Sequence, residues 1–145
     1  MNYGGHLAGG ILTSTLVVGG SLFYSGMNFT IAGICGLTTL IFSLYPDLDV
    51  ASKPSRYAFI IGIPLIIYLG YQRLYLEAIL SLILIGLPKM FSHRGVVHTL
   101  KFAALVSLCW MYILKPFITI EYYYIGISTL VGYMTHLILD NHVKI

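Results

Sequence analysis

YYYIGISTLVGYMTHLILD, residues 122–140, is the stretch on which the fold turns. It is an apolar run of membrane-helix length, since roughly 20 residues at 1.5 Å rise cross about 30 Å of hydrocarbon. Yet it closes on His136 and Asp140, which are four residues apart and therefore on one helical face. Traced backwards, that face carries Gly132 and Ser128, small residues that let another helix approach closely. The segment reads as a helix with a lipid-facing apolar side and a small-residue stripe turned to a bundle interior. The stripe ends on two groups of metal-ligand type, although an isolated HisxxxAsp also arises by chance.

The same composition extends in both directions. Of 145 residues, 58% are hydrophobic and 9% charged, with a mean hydropathy of +0.88. Apolar segments recur at roughly 7–24, 29–45, 57–71, 74–88, 102–115 and 122–140. These predict an all-α, polytopic membrane bundle of about six helices, formed by residues 1–145 as a single domain. Some segments are short for a full span, which tilt or local thinning of the bilayer accommodates. Pro64 is expected to break the third helix. A net charge of +3 without a basic stripe argues against direct nucleic-acid binding. Cys35 and Cys109 form no motif and read as small buried hydrophobes. No Lys or Arg precedes the first apolar run, so residues 1–24 are expected to stay in the mature protein.

Six crossings put both termini and the loops at 46–56 and 89–101 on one side. That side collects Lys53, Arg56, Lys89, Arg94, Lys101 and Lys144, against Arg73 and Lys115 on the other. The positive-inside rule assigns the crowded side to the cytoplasm. His6, His93, His98, His136, His142, Asp47, Asp49 and Asp140 gather there too, so the polar residues converge on one membrane face.

Two loops carry the remaining chemistry. In YPDLD (45–49), an extended backbone after Pro46 would project Asp47 and Asp49 from the same side. Two carboxylates so held need a cation between them, unless they simply cap a helix. In FSHRGVVHTLKF (91–102), His93 and His98 are five apart, and Gly95 permits a turn that folds one towards the other. Neutral imidazole and carboxylate together suit zinc and similar divalent ions. Arg94 is placed to take an anionic group in bidentate fashion, or else serves as a topology signal. His6 is a further ligand candidate, whereas His142 falls off the 136/140 face.

Taken together, His6, PDLD at 46–49 with Ser52, HRGVVHTL at 93–100 and GYMTHLILD at 132–140 resemble the YdjM-type family. These are LexA-regulated, inner-membrane metal-dependent hydrolases, distantly like zinc-dependent phospholipase C. The resemblance covers essentially the whole chain, and HRGxxH combined with a downstream GYxxHxxxD is its specific part. It implies metal binding by His6, Asp47, Asp49, His93, His98, His136 and Asp140. Family members often carry His directly after PDLD, where this chain has Val50, a departure that fits a site with one metal fewer.

The function expected on these grounds is a membrane-embedded, metal-dependent hydrolase. Its cofactor would be one to three divalent ions, zinc first and manganese second. Asp47 or Asp49 would take a proton from metal-bound water, and Arg94 would hold an anionic headgroup. The partner would be membrane lipid, with a phospholipid or lipid-linked phosphate as substrate. The expected location is the bacterial inner membrane, with the motif loops and both termini cytoplasmic. The alternatives are a divalent metal transporter or channel, and a non-catalytic scaffold with a structural metal.

Overall fold

The computed structural model describes residues 3–49, 53–90, 95–118 and 121–140, apart from the side chains of residues 3, 49, 53 and 54. Six α-helices follow one another: α1 Tyr3–Tyr24, α2 Phe29–Phe42, α3 Lys53–Tyr71, α4 Tyr75–Gly86, α5 Leu100–Leu114 and α6 Tyr122–Leu139. Short 3-10 helices at Tyr45–Asp49, Leu87–Met90 and Val96–His98 join them, and the described residues contain no strand. The all-α bundle of six helices expected from the apolar segments is therefore the fold.

Local chemistry explains the boundaries. Gly26, at φ 61°, turns the chain between α1 and α2, and Asn28 then caps α2 by accepting from the Ile31 N–H at 2.9 Å. Thr99 caps α5 in the same way, its hydroxyl accepting from the Phe102 N–H at 3.2 Å. Arg73, at φ 61°, lies in the turn between α3 and α4. Pro64 departs from expectation: α3 runs through it without interruption. The carbonyl freed four residues earlier is tolerated, as it often is in apolar helices packed against neighbours.

Helix α6 is the central element, packed against α1, α2 and α5, while α3 and α4 form a pair that joins the rest mainly through α5. Small residues and hydroxyls make these contacts close. A Cβ on Gly132 would lie 2.2 Å from the Thr39 carbonyl oxygen, so the α2 and α6 backbones touch there. Thr39 Oγ1 donates to the Ser128 carbonyl at 3.2 Å, and Ser14 Oγ of α1 donates to the Gly36 carbonyl of α2 at 2.7 Å. Ser107 of α5 likewise donates to the Gly126 carbonyl of α6. Such hydrogen bonds hold apolar helices together where burial of apolar surface cannot discriminate partners. The stripe Ser128, Gly132 and His136 is buried as its spacing requires. Cys35 is buried and Cys109 half-buried, both as free thiols.

The outer surface is strongly apolar. Leu12, Leu16, Phe23, Ile61, Ile67 and Leu108 are each more than half exposed, far beyond the scattered apolar residues of a water-soluble surface. By length and composition α1, over Gly4–Tyr24, can cross a membrane, whereas Phe29–Phe42, Ser55–Tyr71 and Leu100–Leu114 are shorter apolar helices.

Candidate metal centre

One end of the bundle gathers side chains from four separate elements. His6 comes from the first turns of α1, Asp47 from the 3-10 helix after α2, His98 from the 3-10 helix before α5, and His136 and Asp140 from the end of α6. Alternating helix direction places these ends together. His6, His98 and His136 are all but fully buried, at 1%, 0% and 0% exposure. Three imidazoles and two carboxylates in one apolar bundle end are costly unless their charges and lone pairs are matched.

His136 is the hub. Its Nδ1 lies 2.9 Å from the Ser43 carbonyl oxygen at the end of α2. A carbonyl only accepts, so Nδ1 carries a proton, and in the neutral imidazole Nε2 is left with its lone pair. That Nε2 is 3.6 Å from Asp47 Oδ1 and 3.6 Å from Asp140 Oδ2. It is buried and hydrogen-bonds to nothing among the described residues. An acceptor nitrogen thus faces two acceptor oxygens, an arrangement that calls for a cation between them. Asp140 also lies 3.1 Å from His6 Nε2 through Oδ1 and 3.7 Å from His98 Nε2 through Oδ2. The His6 and His136 rings stack with centroids 4.0 Å apart.

These separations have a chemical meaning. Ligand atoms about 2.1 Å from a tetrahedral ion stand about 3.4 Å from each other. Three of the four contacts, at 3.6, 3.6 and 3.7 Å, are close to that edge and too long for hydrogen bonds. The contact at 3.1 Å would equally serve as a hydrogen bond. Two overlapping triads, His6–His136–Asp140 and Asp47–His98–His136, each bring their ligand atoms within 4.8 Å of one another. The cluster is open on one side: the Asp47 side chain is 21% exposed, against 8% for Asp140.

Five of the seven ligands expected from the sequence therefore meet: His6, Asp47, His98, His136 and Asp140. His93, Arg94 and the side chain of Asp49 lie outside the described residues, as does His142. The route by which Asp47 reaches the site is not the expected one. YPDLD is a 3-10 helix, with the Asp47 N–H bonded to the Leu44 carbonyl at 3.2 Å, rather than an extended segment. A turn of about three residues does not repeat every two, so the alternation expected of an extended segment does not apply here. Pro46 is accommodated because an opening turn needs no N–H from it. The buried Tyr45, donating through its hydroxyl to the Leu84 carbonyl at 2.6 Å, anchors the turn.

Two supporting residues escape a reading of the sequence. Ser43 acts through its backbone carbonyl, which no side-chain motif can signal. Tyr133, buried on α6, donates to the Val97 carbonyl at 2.5 Å and so holds the short turn that carries His98. Its position three residues before His136, on the same helical face, is a signal in hindsight.

A family model described as YdjM inner membrane protein matches residues 1–144. No curated protein matches the chain, and no solved structure does. None of these comparisons shows the expected likeness to zinc-dependent phospholipase C.

Proposed function

The chain belongs to the YdjM inner membrane protein family, and from that premise we propose a multi-pass inner-membrane hydrolase that depends on a divalent metal. Its substrate is a phosphoester of a phospholipid or lipid-linked phosphate, met at the cytoplasmic face. The observation that carries the reading is His136, tied through Nδ1 to the Ser43 carbonyl with a buried Nε2 turned towards two carboxylates. Metal-ligating histidines are oriented in this manner, by a second hydrogen bond that sets the tautomer. His6, His98, His136 and Asp140 form the buried ligand set, with zinc or manganese as the ion.

Bound there, a divalent ion lowers the pKa of water and steadies charge on a phosphoryl oxygen. The chain's own residues supply the rest. Asp47, the carboxylate on the open side, accepts a proton from attacking water. Asp49 keeps the ligand role implied by the family resemblance, as a second carboxylate, and Arg94 anchors the anionic headgroup through its bidentate guanidinium. The apolar exterior supports several crossings of the membrane, with the shorter helices served by thinning of the bilayer. The ends of α1, α2, α5 and α6 that meet at the cluster all belong to the side rich in Lys and Arg, which the positive-inside rule makes cytoplasmic.

A structural metal in a scaffold would need the ligands but not the open side, and the exposure of Asp47 favours the enzyme. The test is metal content and turnover measured together on purified protein. His136→Ala should lose bound metal. Asp47→Asn should keep most of it yet lose hydrolysis of phospholipids or lipid phosphates by about 10²-fold or more, the scale of a general base. Full metal occupancy in wild type with no cleavage of any such substrate would leave the scaffold as the better reading.

A further inference from the structure

Beside the metal cluster lies a cavity of about 260 Å³ between α2, α3, α4, α5 and the 3-10 helix Tyr45–Asp49. Two of its lining residues, Tyr45 and Leu48, flank Asp47 in the chain. At about three residues per turn, Tyr45 and Leu48 share the face of the 3-10 helix that lines the cavity. Its walls pass from buried Phe42 and Leu84 to Ile61, which is 68% exposed on the apolar outer surface. It opens on the lipid-facing exterior.

The walls are almost wholly apolar, with two exceptions that have no use within the fold. Ser81 Oγ and Trp110 Nε1 belong to lining residues, are buried, and hydrogen-bond to nothing among the described residues. Ser81 is 3% exposed. Its isolation is distinctive, because Thr13, Thr15, Ser25, Thr39, Ser128, Thr129 and Thr135 all donate to the carbonyl four residues back. Buried indole N–H groups also ordinarily find a partner. Both idle groups are donors, so the missing partner is an acceptor carried by an otherwise apolar molecule. The volume is just under the roughly 300–1,000 Å³ of sites that enclose a small molecule, which suits one chain of a lipid rather than a whole one.

We propose that this cavity seats one acyl chain of a glycerophospholipid, whose ester carbonyl accepts from Ser81 Oγ or Trp110 Nε1. That this lipid is the substrate rests on the hydrolase reading; the cavity and its two donors do not. A polyisoprenyl phosphate has a chain but no ester carbonyl, so the donors select the diacyl lipid.

Trp110 is the single tryptophan of the chain, so its fluorescence reports on the cavity directly. The purified full-length protein in detergent is titrated with phosphatidic acid brominated in its acyl chains. Quenching should saturate in wild type. In a variant carrying Trp110→Phe and Leu108→Trp, with the probe on the outer surface, it should rise without saturating. Ala58→Phe, which fills the cavity, should weaken saturable binding at least tenfold. Ser81→Ala should weaken it about fivefold, the factor for one neutral hydrogen bond. Ser81→Ala should also leave metal content unchanged and thermal stability equal or higher, an outcome that loss of a structural contact would not produce. The proposal is overturned by non-saturating quenching in wild type, by unaltered binding in both variants, or by equal displacement with a polyprenyl phosphate. Saturable binding without metal-dependent turnover would end the hydrolase reading and leave the cavity assignment standing. Weakened binding with turnover indifferent to both variants would end the claim that the seated lipid is the substrate.

Discussion

Replacing Gly132 by alanine tests whether the close approach of α2 and α6 builds the candidate metal centre. In an unconstrained helix, glycine to alanine stabilises by about 0.5–1 kcal/mol. Here the added Cβ would stand 2.2 Å from the Thr39 oxygen and 2.9 Å from both its carbonyl carbon and its Cα. These are backbone atoms, so no rotamer change relieves the clash and the helices must part by about 1 Å to restore van der Waals contact. The Ser43 carbonyl rides on the end of α2, four residues beyond Thr39. The same parting stretches its 2.9 Å bond to His136 Nδ1 past hydrogen-bonding range. Overpacking of this kind costs about 1–3 kcal/mol, and the lost bond adds about 1 kcal/mol. For a chain of this size the total lowers Tm by about 4–15 °C. Loss of the orienting bond should weaken metal binding about 10- to 100-fold. The assay is thermal unfolding in detergent with metal analysis on the same preparation. Gly19→Ala is the control, because its Cβ meets nothing within 4 Å. Should Gly132→Ala match Gly19→Ala in both Tm and bound metal, helix contact does not position His136 and the argument fails.

Three further outcomes are expected. Tyr133→Phe leaves the Val97 carbonyl without its buried donor, costing about 1–3 kcal/mol; it should lower metal affinity through His98, and unchanged affinity would separate the turn from the site. Removing metal with a chelator should lower the Tm of wild type more than that of His136→Ala, since a ligand of the native state stabilises by mass action; an equal shift in the two proteins would refute it. Single cysteines at the exposed positions Arg56 and Lys101 should be shielded from an impermeant reagent outside intact cells, and one at Arg73 should be labelled. Opposite labelling of 56 and 101 would set the motif loops on different sides of the membrane.

Reading along the chain determined the helices and one face of the site. Apolar length and the 3.6-residue period are local properties, so each of the six segments appears within a few residues of its expected bounds. The 128/132/136/140 stripe is of the same kind: spacing on one helix dictates that its members share a face. Family motifs added which polar residues belong together. What only the tertiary structure decided is how they meet. The 3-10 turn at Asp47 depends on Tyr45 reaching Leu84, 39 residues away. The tautomer of His136 depends on a carbonyl 93 residues away. Likewise, α3 stays continuous through Pro64, which no propensity for proline conveys. The cavity beside Asp47 is built by five elements at once, and its idle donors become visible only when every internal partner has been assigned. Periodicity is written in adjacent residues, whereas hydrogen-bond partners and voids arise from distances between segments that the chain order leaves open.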